Sequence, residues 1–151
     1  IMRTLILITL LLTSSFCFSQ LNVVKTEEKE EIGKVKNLFT TYMETYKQGD
    51  VYTFRYKDVN YQQLNEWKSF SVTEQSFGEL YDLIVSNLQD PPDEAIMIEL
   101  KERGYIMLNF TRSLGVTSFS FAHAVDDSGS TIGNTTYMSR KKIDKLFGKD
   151  N

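Results

Sequence analysis

The sequence predicts an α+β fold. It is a two-layer domain whose antiparallel β-meander sheet is packed by a long N-terminal helix, a second helix and a short C-terminal helix. Three observations predict it. Apolar residues recur at three- and four-residue steps from Ile32 to Tyr46, and again from Phe77 to Leu88, which is the period of one helix face. From Ala95 onward the chain changes to strand-like runs separated by short turns that contain glycine, the pattern of hairpins. No linker, internal repeat or low-complexity tract divides it.

The chain opens with the layout of a secretory signal peptide over residues 1–19. Met2-Arg3 is a positive start, Leu5–Leu12 an apolar run, and Thr13-Ser14-Ser15 and Cys17-Phe18-Ser19 bring small residues to a cut site. The apolar run is shorter than the roughly 20 residues a membrane-spanning helix needs. Cleavage after Ser19 would leave a single domain, residues 20–151, in the periplasm or outside the cell, with no transmembrane helix in the mature chain. Phe16 precedes Cys17, where lipoprotein signals carry a small residue, so a lipid anchor at Cys17 is disfavoured.

Removing the signal removes the one cysteine of the chain. The mature domain then has no disulfide, no thiolate nucleophile and no cysteine metal ligand, and must be held by its core. The full chain carries 17 Lys and Arg against 20 Asp and Glu. Losing Arg3 takes the net charge from −3 to −4. This acidic balance excludes nucleic acid as a partner and disfavours an anionic membrane surface.

Glu27–Glu31 supplies the acidic first turn of a helix over residues 28–48, with Gly49 as its C-cap. Val51–Lys57 alternates, with Tyr52, Phe54 and Tyr56 on one face, and reads as a strand. Trp67–Val72 reads as another. Ser76 with Glu79 has the spacing of a capping box opening the second helix, which ends near Gln89 because Pro91-Pro92 cannot continue it. Four strands follow, Ala95–Lys101, Tyr105–Arg112, Val116–Val125 and Ser130–Met138. Ser139 then caps a basic helix over Arg140–Phe147.

The stretch Leu38–Asp50, with its apolar periodicity ending in Gly49-Asp50, resembles the first helix of nuclear transport factor 2-like domains. That resemblance implies helices against a curved antiparallel sheet with a conical pocket between them. It implies a protein that binds or turns over a small apolar ligand, with Glu99 or His123 as pocket residues.

His123 is the only histidine, and it shares the aromatic face of its strand with Phe119 and Phe121, which reads as a packed core histidine. Glu99 stands inside a strand, where a solvent-facing position explains it. Asp126-Asp127-Ser128-Gly129 fails as an EF-hand loop because its twelfth position is Tyr137, and it reads as a turn. Nothing calls for a cofactor or a metal, and no catalytic residue is assigned. Tyr56, Tyr61 and Trp67 stand among asparagines, glutamines and basic residues, a composition suited to recognising protein or carbohydrate. The chain therefore reads as a small exported, non-enzymatic binding or accessory protein, inhibitor- or immunity-like, with an unidentified protein or carbohydrate partner. The alternatives are the pocket protein just described and a structural envelope component.

Overall fold

A computed structural model describes residues 27–150, apart from the side chains of residues 62–64. The signal-peptide segment, residues 1–19, lies outside the described residues.

The fold is α+β, with two four-stranded antiparallel sheets and two α-helices. The first sheet runs in chain order: β1 (Glu30–Lys36), β2 (Thr41–Gln48), β3 (Val51–Lys57) and β4 (Trp67–Thr73). A 3-10 stretch, Val59–Leu64, lies between β3 and β4. Helix α1 (Glu74–Gln89) leads to the second sheet: β5 (Ile96–Glu99), β6 (Tyr105–Ser113), β7 (Val116–Ala124) and β8 (Ile132–Asn134). Helix α2 (Arg140–Leu146) closes the chain.

The long N-terminal helix expected over 28–48 is instead the β1–β2 hairpin, so the single meander sheet becomes two sheets. Asn37–Thr40 makes the turn. The Asn37 backbone N–H donates to the Thr40 carbonyl at 3.1 Å, and the Thr40 N–H donates to Asn37 Oδ1 at 3.2 Å. Leu38 and Phe39, which the helical period assigned to a buried face, are 91% and 96% exposed at its tip. The inward positions of β2 are Met43 and Thr45, a two-residue period that a helical reading of Tyr42, Met43 and Tyr46 obscures. Gly49, at φ 60°, turns β2 into β3 rather than capping a helix. The segment that resembled a nuclear transport factor 2-like helix is therefore turn and strand, and no long helix stands there to wall a conical pocket.

The later elements follow the sequence more closely. Thr73 caps α1 in place of Ser76, its Oγ1 accepting from the Ser76 N–H at 3.3 Å. The last strand is shorter than expected, only Ile132–Asn134, with an isolated bridge between Phe119 and Met138.

Phe54 on β3 ties the elements together. Its ring lies 5.0 Å from Phe70 of β4, 5.7 Å from Phe77 of α1, 5.8 Å from Phe121 of β7 and 5.3 Å from Phe147 at the end of α2. One side chain thus touches both sheets and both helical segments, so the core is continuous. Each such buried aromatic stabilises the fold by roughly 1.5–3 kcal/mol. Helix α2 packs on β1 and β2, while α1 reaches strands of both sheets.

Candidate functional site

The alternation of β3 sends Tyr52, Phe54 and Tyr56 inward. Tyr56 is therefore in the core and does not belong to a surface, as expected for its strand position but not for a binding residue. Its hydroxyl sits 3.0 Å from His123 Nδ1 of β7, a hydrogen bond that joins the two sheets. Burial, and then the charge of Lys68, hold the His123 imidazole down to about 4, so it is neutral at pH 7. Burial and the nearby Asp58 carboxylate hold the Tyr56 phenol well above its usual range. Gly133 of β8 passes close to the Tyr56 hydroxyl and the Lys68 stem, a place that a larger residue would fill.

Asp58 completes this junction. It caps the 3-10 stretch, with Oδ1 accepting from the backbone N–H groups of Asn60 at 3.0 Å and Asn134 at 3.2 Å. Its Oδ2 accepts from Lys68 Nζ at 2.6 Å. Burial alone would raise this carboxyl, but Lys68 and the two backbone donors outweigh it and hold the carboxyl below its ordinary value. These charges and the Tyr56–His123 pair are spent on holding β3, β4, β7 and β8 together.

The pH dependence of stability follows with a definite sign. His123 titrates near 6.5 when unfolded and near 4 in the fold. Between those values the unfolded chain binds the proton first, so stability present above pH 6.5 is lost as pH falls toward 4. The expected loss is about 3 kcal/mol, read from urea midpoints at about pH 7.5 and about pH 4.5. A His123→Gln variant with an unchanged pH slope would show that the imidazole is not the group responsible.

The surface candidates separate from this core. Tyr61, 49% exposed, lines a groove of about 430 Å³. The first hairpin contributes Asn37, Thr40 and Tyr42, the end of β3 contributes Lys57, the segment after it contributes Val59, Asn65 and Glu66, and the C-terminal part contributes Thr136 and Lys142. Asn37 Nδ2 donates to the Tyr42 hydroxyl at 2.6 Å, and Lys57 Nζ donates to Asn65 Oδ1 at 2.6 Å. Trp67 lies on the outer face of the first sheet behind this wall, with Arg55 4.5 Å and Lys57 5.4 Å from its ring. Of Tyr56, Tyr61 and Trp67, then, only Tyr61 reaches the groove, and Trp67 supports it through Lys57. Chemically the groove offers two phenolic rings, amide groups and charges of both signs, a lining suited to a ligand rich in hydroxyl and amide groups.

Glu99 and His123 are not brought together. Glu99 is in register with Tyr105 and through it with Ala124, whereas His123 is in register with Ile106 and Ile98. Neighbouring residues of a strand face opposite sides of the sheet, so the two side chains do too. Glu99 is exposed and His123 is packed against Phe70, with 5.4 Å between ring centroids. Asp126 behaves as a turn residue, its carboxylate accepting from the Ser128 and Ser130 hydroxyls at 2.7 Å each. Among the described residues no group of three His, Cys, Asp or Glu side chains converges as a metal site would require.

Sequence reasoning missed Asn37 and Tyr42 as groove residues, because a helix was expected there. The available signal was Asn37-x-x-Thr40, a turn spacing set inside the apparent apolar period. No protein-family model, curated protein or solved structure matches this chain.

Proposed function

We propose that this chain is an exported, non-enzymatic binding protein of the periplasm or cell exterior. It recognises a protein or carbohydrate partner through the tyrosine-lined groove, as a small inhibitor or immunity protein would. The observation that carries the reading is the convergence of Tyr42, Tyr61, Asn37 and Asn65 on one open groove of about 430 Å³, while the titratable residues of the interior are committed to structure. Tyrosine and amide side chains give large contact area and hydrogen bonding at small entropic cost, which favours recognition.

The test is affinity capture from the native envelope fraction by residues 20–151, beside a Tyr42→Ser/Tyr61→Ser variant. A species held by the parent chain should be lost by roughly tenfold or more in the variant, the effect of removing two contact aromatics. Equal retention by both chains would remove the groove from the proposal.

A further inference from the structure

The tip of the β1–β2 hairpin carries two large apolar side chains side by side in solvent. Leu38 is 91% and Phe39 96% exposed, and the turn beneath them is held by the two Asn37–Thr40 hydrogen bonds of 3.1 and 3.2 Å. A hydrogen-bonded turn that presents Leu-Phe outward gains nothing from the fold by doing so. Its surroundings are basic, although the chain as a whole is acidic. Lys36 is the exposed residue before the turn, and the groove that Asn37 and Thr40 line also contains Lys57 and Lys142, against Glu66 alone of the acids. A tyrosine stands at the same end, Tyr61 in the groove at 49% exposure.

From this juxtaposition we infer that the hairpin tip docks on an anionic lipid surface. Leu38 and Phe39 enter the headgroup and acyl boundary, Lys36, Lys57 and Lys142 meet phosphates, and Tyr61 lies at headgroup depth. Apolar tip, basic collar and amphipathic ring are the three components of interfacial binding. A protein pocket could take the Leu-Phe pair with charge of either sign around it, but the basic collar on an acidic chain selects a negative surface. The net acidic charge of the chain opposes non-specific adsorption to such lipids, which favours approach by this end. Each lysine near the surface is worth roughly fivefold in partition, so binding is reversible and salt-sensitive. This surface function goes beyond the partner-binding groove and reverses the expectation that net charge alone would keep the chain off anionic membranes.

Residues 20–151, which contain every described element and core residue, are sedimented with vesicles of phosphatidylglycerol and phosphatidylcholine and with phosphatidylcholine vesicles alone. The chain should partition onto the anionic vesicles and come off at about 0.5 M salt. Leu38→Ser/Phe39→Ser should lower partition roughly thirtyfold without changing the circular dichroism, because both positions are solvent-exposed. Lys36→Glu/Lys142→Glu should lower it on anionic vesicles, and the fluorescence of Phe39→Trp should shift to the blue when they are added. No binding above the phosphatidylcholine background, or equal binding by Leu38→Ser/Phe39→Ser, overturns the inference. So does loss of a captured protein by that tip variant when vesicles are ignored, since the tip then serves a protein. A failure confined to Tyr42→Ser/Tyr61→Ser capture counts against the groove and leaves the lipid contact standing.

Discussion

Gly33→Ala is expected to destabilise the fold by about 3 kcal/mol or more, at the upper end of the cost of overpacking a close contact. A Cβ on Gly33 would run into the Lys145 carbonyl oxygen and would stand 2.8 Å from the Leu146 carbonyl oxygen and 2.9 Å from its carbon. All three obstacles are backbone, so no side-chain rotation relieves them. Either β1 or the C-terminal end of α2 must retreat. Retreat of α2 loosens Ile143, Leu146 and Phe147, which are buried, and with Phe147 one of the rings around Phe54. Urea unfolding at neutral pH measures the loss. Gly78→Ala is the internal control, because it lies in α1 with open space around its Cβ, and it should stabilise by about 0.5–1 kcal/mol. If Gly33→Ala cost no more than about 0.5 kcal/mol, α2 would not be anchored on β1 as described.

Lys68→Met is expected to cost about 3–5 kcal/mol, because it leaves the Asp58 carboxylate without its cation. The Asp58 side chain is fully buried and that of Lys68 is 13% exposed. The two backbone N–H donors of Asn60 and Asn134 remain, but they cannot offset the desolvation of a full negative charge. Asp58→Asn should cost less, about 1–2 kcal/mol. The amide oxygen can still accept a backbone N–H, and the partly exposed lysine can turn to water. The acid limb separates the variants. In the parent chain the Asp58 carboxyl is held below its ordinary value, so its contribution is present at neutral pH and is lost as pH falls through that lowered value. In Lys68→Met the carboxyl protonates at higher pH, and His123, freed of a neighbouring positive charge, titrates higher as well. Stability measured from neutral to acid pH, with the imidazole followed by nuclear magnetic resonance, reads both shifts. An unchanged His123 titration in Lys68→Met would show that the two groups are not coupled.

Much of the chain was legible because local pattern and tertiary role agree there. β3 alternates without ambiguity, and Tyr52, Phe54 and Tyr56 face the core as the period of two requires. Pro91-Pro92 limits α1, and the glycine turns bound β6 and β7. Residues 30–48 failed because Ile32, Val35, Leu38, Phe39, Tyr42, Met43 and Tyr46 fit a helix period, whereas the two-residue period of β2 is carried inward by Met43 and a polar residue, Thr45. What separates the two is the turn at Asn37–Thr40 and the place of Gly33. A glycine in mid-helix costs about 1 kcal/mol, a weak argument by itself. Beside the backbone of α2, more than a hundred residues later, glycine at this position becomes a requirement. The groove was half legible. Tyr61 was singled out by composition, whereas Asn37, Tyr42, Thr136 and Lys142 come from distant segments and meet only in the fold.

By itself the sequence determined the α+β class, the edges of β3, β4 and the last helix, the C-terminal limit of α1, the inward face of β7 with His123 on it, and the turn character of Asp126–Gly129. Each of these rests on a local cause: a side-chain period, a breaker or a turn residue. Tertiary structure alone decided that the N-terminal segment is a hairpin, that the strands divide into two sheets, and that Tyr56 is a core residue bonded to His123. It also decided that Leu38 and Phe39 stand in solvent at the tip of that hairpin. The physical reason is the same in each case. An apolar residue is stabilised by whichever surface covers it, and which surface that is, or whether there is one, depends on elements far away in the chain.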